Sequence, residues 1–174
     1  MAKHSEIRLT GSGGQGLILA GIIFAETAIL QGDNAVQSQS YGPEARGGAS
    51  KAEVIISGDE IYFPKVGEAD VMLSLTQVAL DKYYKTVKKD GILVVDSSLI
   101  IPADIEVGEI VAIPIMETAA EKVGKSMVAN IVALGAMNGK CSLVNDELLV
   151  EAVLARVPKG TEELNKKALQ EGYN

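Results

Sequence analysis

Glu6-Ile7-Arg8-Leu9-Thr10-Gly11-Ser12-Gly13-Gly14-Gln15-Gly16-Leu17 is the stretch on which the fold turns. Glu6–Leu9 reads as a short strand, Thr10–Gly16 as a glycine loop, and Leu17–Leu30 as a helix that Gly32 ends. Gly11-x-Gly13-x-x-Gly16 satisfies the spacing of a dinucleotide fingerprint: a tight turn, a backbone able to approach an anion, and a helix N-terminus that favours negative charge. The support such a site needs is missing. A second strand ending in Asp or Glu should follow about twenty residues later, and Val36-Gln37-Ser38-Gln39 stands there instead. No Gly-Lys-Ser/Thr follows either, which excludes a P-loop. The structural role, a tight strand-to-helix turn packed against a neighbouring loop, therefore outweighs dinucleotide binding.

The connection after this helix carries a second glycine-rich loop, Ser40-Tyr41-Gly42-Pro43-Glu44-Ala45-Arg46-Gly47-Gly48-Ala49-Ser50. Glycines permit close backbone approach and positive φ. An arginine held among them could pair bidentately with a carboxylate or phosphate. The alternative is that Arg46 pairs with Glu44 or Glu53 and fixes the loop. The residues alone do not rank the two.

Further along, Lys51–Ser57 and Glu60–Pro64 read as a hairpin across Gly58-Asp59, and Val71–Leu75 as a short apolar strand. Gln77–Lys89 reads as a helix with Val78, Tyr83 or Tyr84, and Val87 facing inward, stopped by Gly91. Ile92–Val95 is an apolar strand ending at Asp96, and Glu109–Ile113 another. Short helices are expected over Glu117–Val123 and over Met127–Met137, the latter capped by Ser126 and ended by Asn138-Gly139. Asp146–Arg156 and Thr161–Glu171 close the chain as helices, with Thr161 as a cap. Alternating strands and helices predict a three-layer α/β/α sandwich, Rossmann-like, with a mostly parallel mixed sheet. No repeat, linker or low-complexity tract divides the chain, so residues 1–174 read as one domain. Leu17–Ala25 and Met127–Met137 carry no charge on any face. Either both are buried internally or a second chain covers part of them.

A length of 174 residues suits one substantial core, and 47% hydrophobic and 22% charged residues are ordinary for a soluble globular protein. The net charge of −7 argues against nucleic acid, whose binding needs clustered Lys and Arg. Lys65, Lys82, Lys85, Lys88 and Lys89 are interspersed with acids and apolar residues, as on a solvated face. Cys141 is the single cysteine and His4 the single histidine. One thiol makes no internal disulfide, cannot supply the four thiolates of an iron–sulfur cluster, and cannot complete a structural zinc site. No signal peptide is read at the start. The longest apolar runs fall short of the about 18–20 residues that cross a bilayer, so a cytoplasmic protein is expected. Nor does a catalytic constellation survive. Ser40, Ser50 and Ser126 have only His4 as a histidine base, on a terminus expected to be mobile.

The paired loops, with Ile55-Ile-Ser57, Ile61-Tyr-Phe-Pro64, Ala69-Asp70, Gly91–Asp96 and the Asn130–Gly135 helix, resemble the γ subunit of 2-oxoacid:ferredoxin oxidoreductases. The wording Gln37–Gly48 is most similar to the 2-oxoglutarate:ferredoxin oxidoreductase members. The resemblance covers nearly the whole chain. It implies a subunit of an enzyme that oxidatively decarboxylates a 2-oxoacid to an acyl-CoA, using coenzyme A, and passes electrons to ferredoxin. Thiamine diphosphate, Mg and iron–sulfur clusters would then sit on companion α, β and δ-type subunits, consistent with the missing Gly-Asp-Gly motif and cluster cysteines. No cofactor, metal or catalytic residue is assigned to this chain. The implied interface or ligand loops comprise Gly11, Gly13, Gly14, Gln15, Gly16, Tyr41, Gly42, Glu44, Arg46, Gly47, Gly48 and Ser50. An isolated chain of this kind is expected to self-associate through surface meant for partners. The rival readings are a stand-alone dinucleotide- or flavin-binding oxidoreductase and a non-enzymatic adaptor.

Overall fold

A computed structural model describes residues 4–40 and 48–174. Strands β1 (His4–Gly11), β2 (Asn34–Gln39), β3 (Ser50–Ser57), β4 (Ala69–Ser74), β5 (Val87–Asp96) and β6 (Glu109–Ile113) form one sheet in the order β2-β3-β1-β4-β5-β6. Pairs β1/β4, β4/β5 and β5/β6 are parallel, and β1/β3 and β2/β3 antiparallel. The mostly parallel mixed sheet is as expected. The hairpin is not: β3 pairs with Asn34–Gln39, and Glu60–Pro64 lies outside the strands. Asn34–Gln39 has weak strand composition, but its backbone finds a ready ladder along β3, and Ala35 packs into the core. Context outweighs propensity here.

One face of the sheet carries α1 (Leu17–Leu30), α4 (Ala129–Cys141), α5 (Asp146–Arg156) and α6 (Glu162–Tyr173), packed over Ile7, Leu9, Val54, Val71, Leu73 and Val94. The other face carries the short α2 (Gln77–Tyr83) and loop segments over Ile55, Met72, Leu93 and Val95. A further short helix, α3 (Ile115–Glu117), runs on into a wide π-helical turn at Thr118–Val123. The sandwich thus has three unequal layers. Gly32, at φ 96°, lies just past α1 as expected, its N–H donating to Ile29 O at 3.0 Å.

Several boundaries move. The helix expected over Gln77–Lys89 stops at Tyr83, and Val87 already belongs to β5. Tyr83 and Val87 are buried as expected, whereas Val78 is 53% exposed. Gly91 stops nothing: it sits inside β5, where a Cβ would come within 3.0 Å of Asp70 O. Asn138-Gly139 does not end α4 either. Asn138 is buried, with Nδ2 donating to Val144 O at 3.0 Å and Oδ1 accepting from Val144 N at 2.9 Å. The left-handed cap falls on Ser142, at φ 49°. Ser126 begins a 3₁₀ turn instead of capping α4, and Thr161 Oγ1 donates to Pro158 O instead of accepting from the helix it precedes. His4, expected on a loose end, opens β1. Burial, the largest cause, pushes the Tyr173 hydroxyl up to about 12. It stays protonated and donates to Asp146 Oδ1 at 2.7 Å.

The two uncharged helices are explained mainly from inside. In α4, Ala129 to Asn138 are all buried. In α1, Leu17, Ala20, Ile23 and Phe24 are buried, while Ile18 is left 41% exposed.

Candidate functional site

The register between β1 and β3 pairs Gly11 directly with Ser50. The glycine loop and the second loop therefore leave the sheet side by side, at the edge where the parallel strands end. That edge is where open α/β sheets place their working loops. Ser40 anchors the near end of the second loop: its N–H donates to Lys51 O at 3.1 Å, and its Oγ accepts from Lys51 N at 3.3 Å. At the far end Gly48 adopts φ 81°, and a Cβ there would meet Val78 Cγ1 at 3.9 Å. Ser50 is buried. Tyr41, Gly42, Glu44, Arg46 and Gly47 lie outside the described residues.

In the glycine loop, Gln15 folds back so that its Oε1 accepts from Ser12 N at 2.7 Å, and its Nε2 reaches Met116 Sδ at 3.9 Å. A Cβ on Gly11 would collide with that Oε1. An N–H that a bound diphosphate would use is thus taken by the chain's own side chain. Gly16 adopts φ 72°, and Asn130 Nδ2, from the first turn of α4, donates to its carbonyl at 3.2 Å. A Cβ on Gly16 would lie 2.9 Å from Asn130 Cγ. Gly13 and Gly14 are different: an added Cβ meets nothing within 4 Å. No internal contact requires glycine at those two positions, which face outward.

A stability test follows from Gly16. Gly16→Ala incurs about 1–2 kcal/mol for a left-handed non-glycine residue, and displacing Asn130 brings the loss to about 2–3 kcal/mol. Urea denaturation of Gly16→Ala in wild-type and Asn130→Ala backgrounds should show the smaller penalty where the amide is gone. Equal penalties would mean that Asn130 does not hold the loop.

Beneath the edge lie polar groups that sequence reasoning did not single out. Thr10 Oγ1 donates to Leu73 O at 2.8 Å and lies 2.6 Å from Ser74 Oγ. Asp96, 2% exposed, accepts from Met116 N at 2.9 Å and Ser98 N at 3.1 Å, tying the β5 and β6 exits together. Its only signal in the sequence was its place at the end of an apolar strand. Glu53, considered above as a partner for Arg46, has its Oε2 2.6 Å from Arg8 Nε. The residues do not fit an iron–sulfur cluster, since the only cysteine of the chain, Cys141, lies half-buried at the end of α4. Among the described residues no group of three or more His, Cys, Asp or Glu is placed to hold a metal ion, and no helix is long and apolar enough to cross a membrane.

Residues 6–174 match the pyruvate ferredoxin/flavodoxin oxidoreductase family, and the chain belongs to it. The chain is 47% identical to the 2-oxoglutarate synthase subunit KorC of Methanocaldococcus jannaschii over 98% of its own length and 92% of the relative. It superposes on the γ subunit of the keto/oxoacid ferredoxin oxidoreductase of Geobacter sulfurreducens with a TM-score of 0.87 and 52% identity, covering 97% of this chain and 96% of that one. The ketoisovalerate oxidoreductase subunit VorA of Methanothermobacter thermautotrophicus is 36% identical over 75% of this chain, but the match spans only 27% of that longer polypeptide.

Proposed function

We propose that the chain, as one γ-type domain over residues 1–174, is the γ subunit of a cytoplasmic 2-oxoacid:ferredoxin oxidoreductase that converts 2-oxoglutarate and coenzyme A to the acyl-CoA and CO2. The observation that carries this reading is end-to-end likeness: relatives named as subunits of such enzymes match this chain over nearly the full length of both. In this reading the decarboxylation chemistry belongs to thiamine diphosphate with Mg, and electron transfer to iron–sulfur clusters, on α, β and δ-type companions that deliver to ferredoxin. This chain's own groups shape the surroundings of the active site and access for coenzyme A. Tyr41–Gly48, with Gly11–Gly16 behind it, faces the companions near the thiamine site, and Arg46 makes the functional contact with a companion acid or an anionic ligand. Two observations support this over dinucleotide binding: Gln15 Oε1 fills the turn, and Asn34–Gln39 offers no acid for a ribose.

Arg46→Ala, made in the co-expressed complex, tests the assignment. Losing a charge-assisted hydrogen bond worth about 1.5–3 kcal/mol lowers kcat/KM by about 10- to 100-fold for 2-oxoglutarate or coenzyme A, or weakens assembly to match. Unchanged assembly together with unchanged kcat/KM for both substrates would sink it. Omitting this chain from the co-expression tests the broader reading, since 2-oxoglutarate- and coenzyme A-dependent reduction of ferredoxin should then be lost.

A further inference from the structure

The edge that carries the glycine loop is unlike the rest of the surface. Beside the second glycine-rich loop, four described segments reach it: Gly11–Gly16 after β1, Leu75–Val78 after β4, Ser97–Pro102 after β5, and Ser126–Asn130 entering α4. None contains an ionisable side chain, in a chain with 23 acids and 16 Lys or Arg. Charge enters this edge through the second loop, with Glu44 and Arg46, and through Asp81, whose carboxylate accepts from Gln77 Nε2 at 3.0 Å. Each neighbourhood nevertheless exposes an aliphatic or thioether side chain: Ile18 at 41% beside the glycine loop, Val78 at 53%, Ile100 at 77% and Met127 at 79%.

Contacts tie these residues to the same place. Val78 lies beside Gly48, Gln77 Oε1 accepts from Ile100 N at 2.8 Å, and the turn carrying Met127 leads into Asn130, which holds Gly16. Val78 is at odds with its own helix, since Ala79, Leu80 and Tyr83 of α2 are buried. Gly13 and Gly14 leave open space in the same surface. Interface cores are depleted of charge and enriched in Met, and exposed apolar patches of this kind mark protein contacts.

The other exposed apolar groups lie apart from this edge, and Ile110, on β6, follows Glu109, whose carboxylate is 2.9 Å from Lys140 Nζ. Ile29 and Leu30 flank a groove bordered by Glu26 and Glu151, and Tyr62 and Phe63 stand beside Glu60, whose carboxylate accepts from the Tyr62 hydroxyl at 2.6 Å. In the longer ketoisovalerate relative, the counterpart of this chain is one segment of a larger polypeptide. In the KorC relative and the Geobacter γ subunit the same segment is nearly the whole polypeptide, and a covalent tie between two units is what a stable contact between separate ones replaces. Strand β1 starts at His4 on the opposite edge, and Tyr173 near the C-terminus packs on Asn138, towards the far end of α4. Neither described end lies at the glycine-loop edge.

We infer that the apolar patch formed by Ile18, Val78, Ile100 and Met127 is the docking face for the companion subunit that corresponds to the remainder of that longer chain. The inference rests on the γ-subunit reading. It adds an apolar contact to the loops already assigned there, and the part of the companion that meets these four side chains is correspondingly apolar.

The test uses the co-expressed complex with an affinity tag on that companion. Val78→Asp, Ile100→Asp and Met127→Asp should each lower the amount of this chain retained on dilution at least about tenfold, since each buries an unpaired carboxylate in the contact. The equally exposed Ile29→Asp and Phe63→Asp should stay within about twofold. Hydrogen exchange on wild-type protein, which needs no variant to fold, should show new protection at Val78, Leu99–Ile100 and Met127 in the complex. Retention of all three edge variants, no new protection, or equal losses from Ile29→Asp and Phe63→Asp would overturn the docking face while leaving the γ-subunit reading intact. Failure of the wild-type chain to co-purify with any companion would overturn both.

Discussion

Glu53→Ala is expected to destabilise the fold by about 3–5 kcal/mol, because it leaves the Arg8 guanidinium buried without its counter-charge. Arg8 and Glu53 face each other across β1 and β3 in the middle of the sheet, with side chains only 4% and 10% exposed. All three guanidinium nitrogens are used. Nε donates to Glu53 Oε2 at 2.6 Å, one terminal nitrogen to Thr86 Oγ1 at 2.5 Å, and the other to Val66 O at 2.9 Å. The network stitches β1 and β3 to the loop before β4 and to the turn before β5. For a domain of this size the loss lowers the melting temperature on the order of 10 °C. Removing both charges changes the sign of the argument. The double variant Arg8→Met, Glu53→Leu exchanges the desolvation penalty for apolar packing and should lie much closer to wild type than Glu53→Ala. A double-mutant cycle in urea reads the coupling directly. If Glu53→Ala melts within a degree or two of wild type, water reaches the guanidinium and the pair is not a structural centre.

This pair also marks where the sequence stops being legible. Arg8 and Glu53 are 45 positions apart, and each sits in a strand whose alternation predicts an apolar or solvated residue. Only the register of β1 on β3 brings them together. The same holds for the site. Both glycine loops stand out in the sequence by composition, but that Gly11 lies opposite Ser50 is a property of the ladder. Local signals served well where the physics is local. The apolar run Leu17–Leu30 closed by Gly32, and the helix Asp146–Arg156, whose Asn145 side chain caps Leu148 N at 2.9 Å, form within the expected bounds. Signals failed where a glycine or polar residue serves packing. Gly91 admits the Asp70 carbonyl, Asn138 satisfies the Val144 backbone, and Gly139 lies under the Tyr173 ring, so none of them breaks its element. The exposed Val78 was illegible for the converse reason. A helical period places it inward, and what it packs against on the docking reading belongs to another chain.

Gly135→Ala carries the second large expectation. Helices α4 and α6 cross with Gly135 against Gly172, close enough that a Cβ on Gly135 would collide with the Leu169 carbonyl and lie 3.1 Å from Gly172 Cα. A Cβ on Gly172 would collide with the Val132 carbonyl and lie 2.8 Å from Ala136 N. The obstacles are backbone atoms on both sides, so no rotamer change relieves them and the helices must separate. Separation opens the packing of Leu134, Ala168 and Leu169, all buried. Overpacking of this kind typically costs about 1–3 kcal/mol, and the backbone character of the clash puts Gly135→Ala at or above about 3 kcal/mol. Helix propensity opposes this by only about 1 kcal/mol in favour of Ala. Gly139→Ala in the same helix provides the control, because its nearest obstacle is Tyr173 Cδ1 at 2.9 Å, part of a side chain that can shift. There the clash and the propensity gain nearly cancel, and the variant should unfold within about 1 kcal/mol of wild type. The double variant Gly135→Ala, Gly172→Ala should cost less than the two single losses together, since one separation accommodates both methyl groups. Because α4 holds Gly16 through Asn130, moving it also loosens the glycine loop. Gly135→Ala should therefore weaken companion binding as well as stability, and Glu53→Ala, acting in the body of the sheet, should do so only through unfolding.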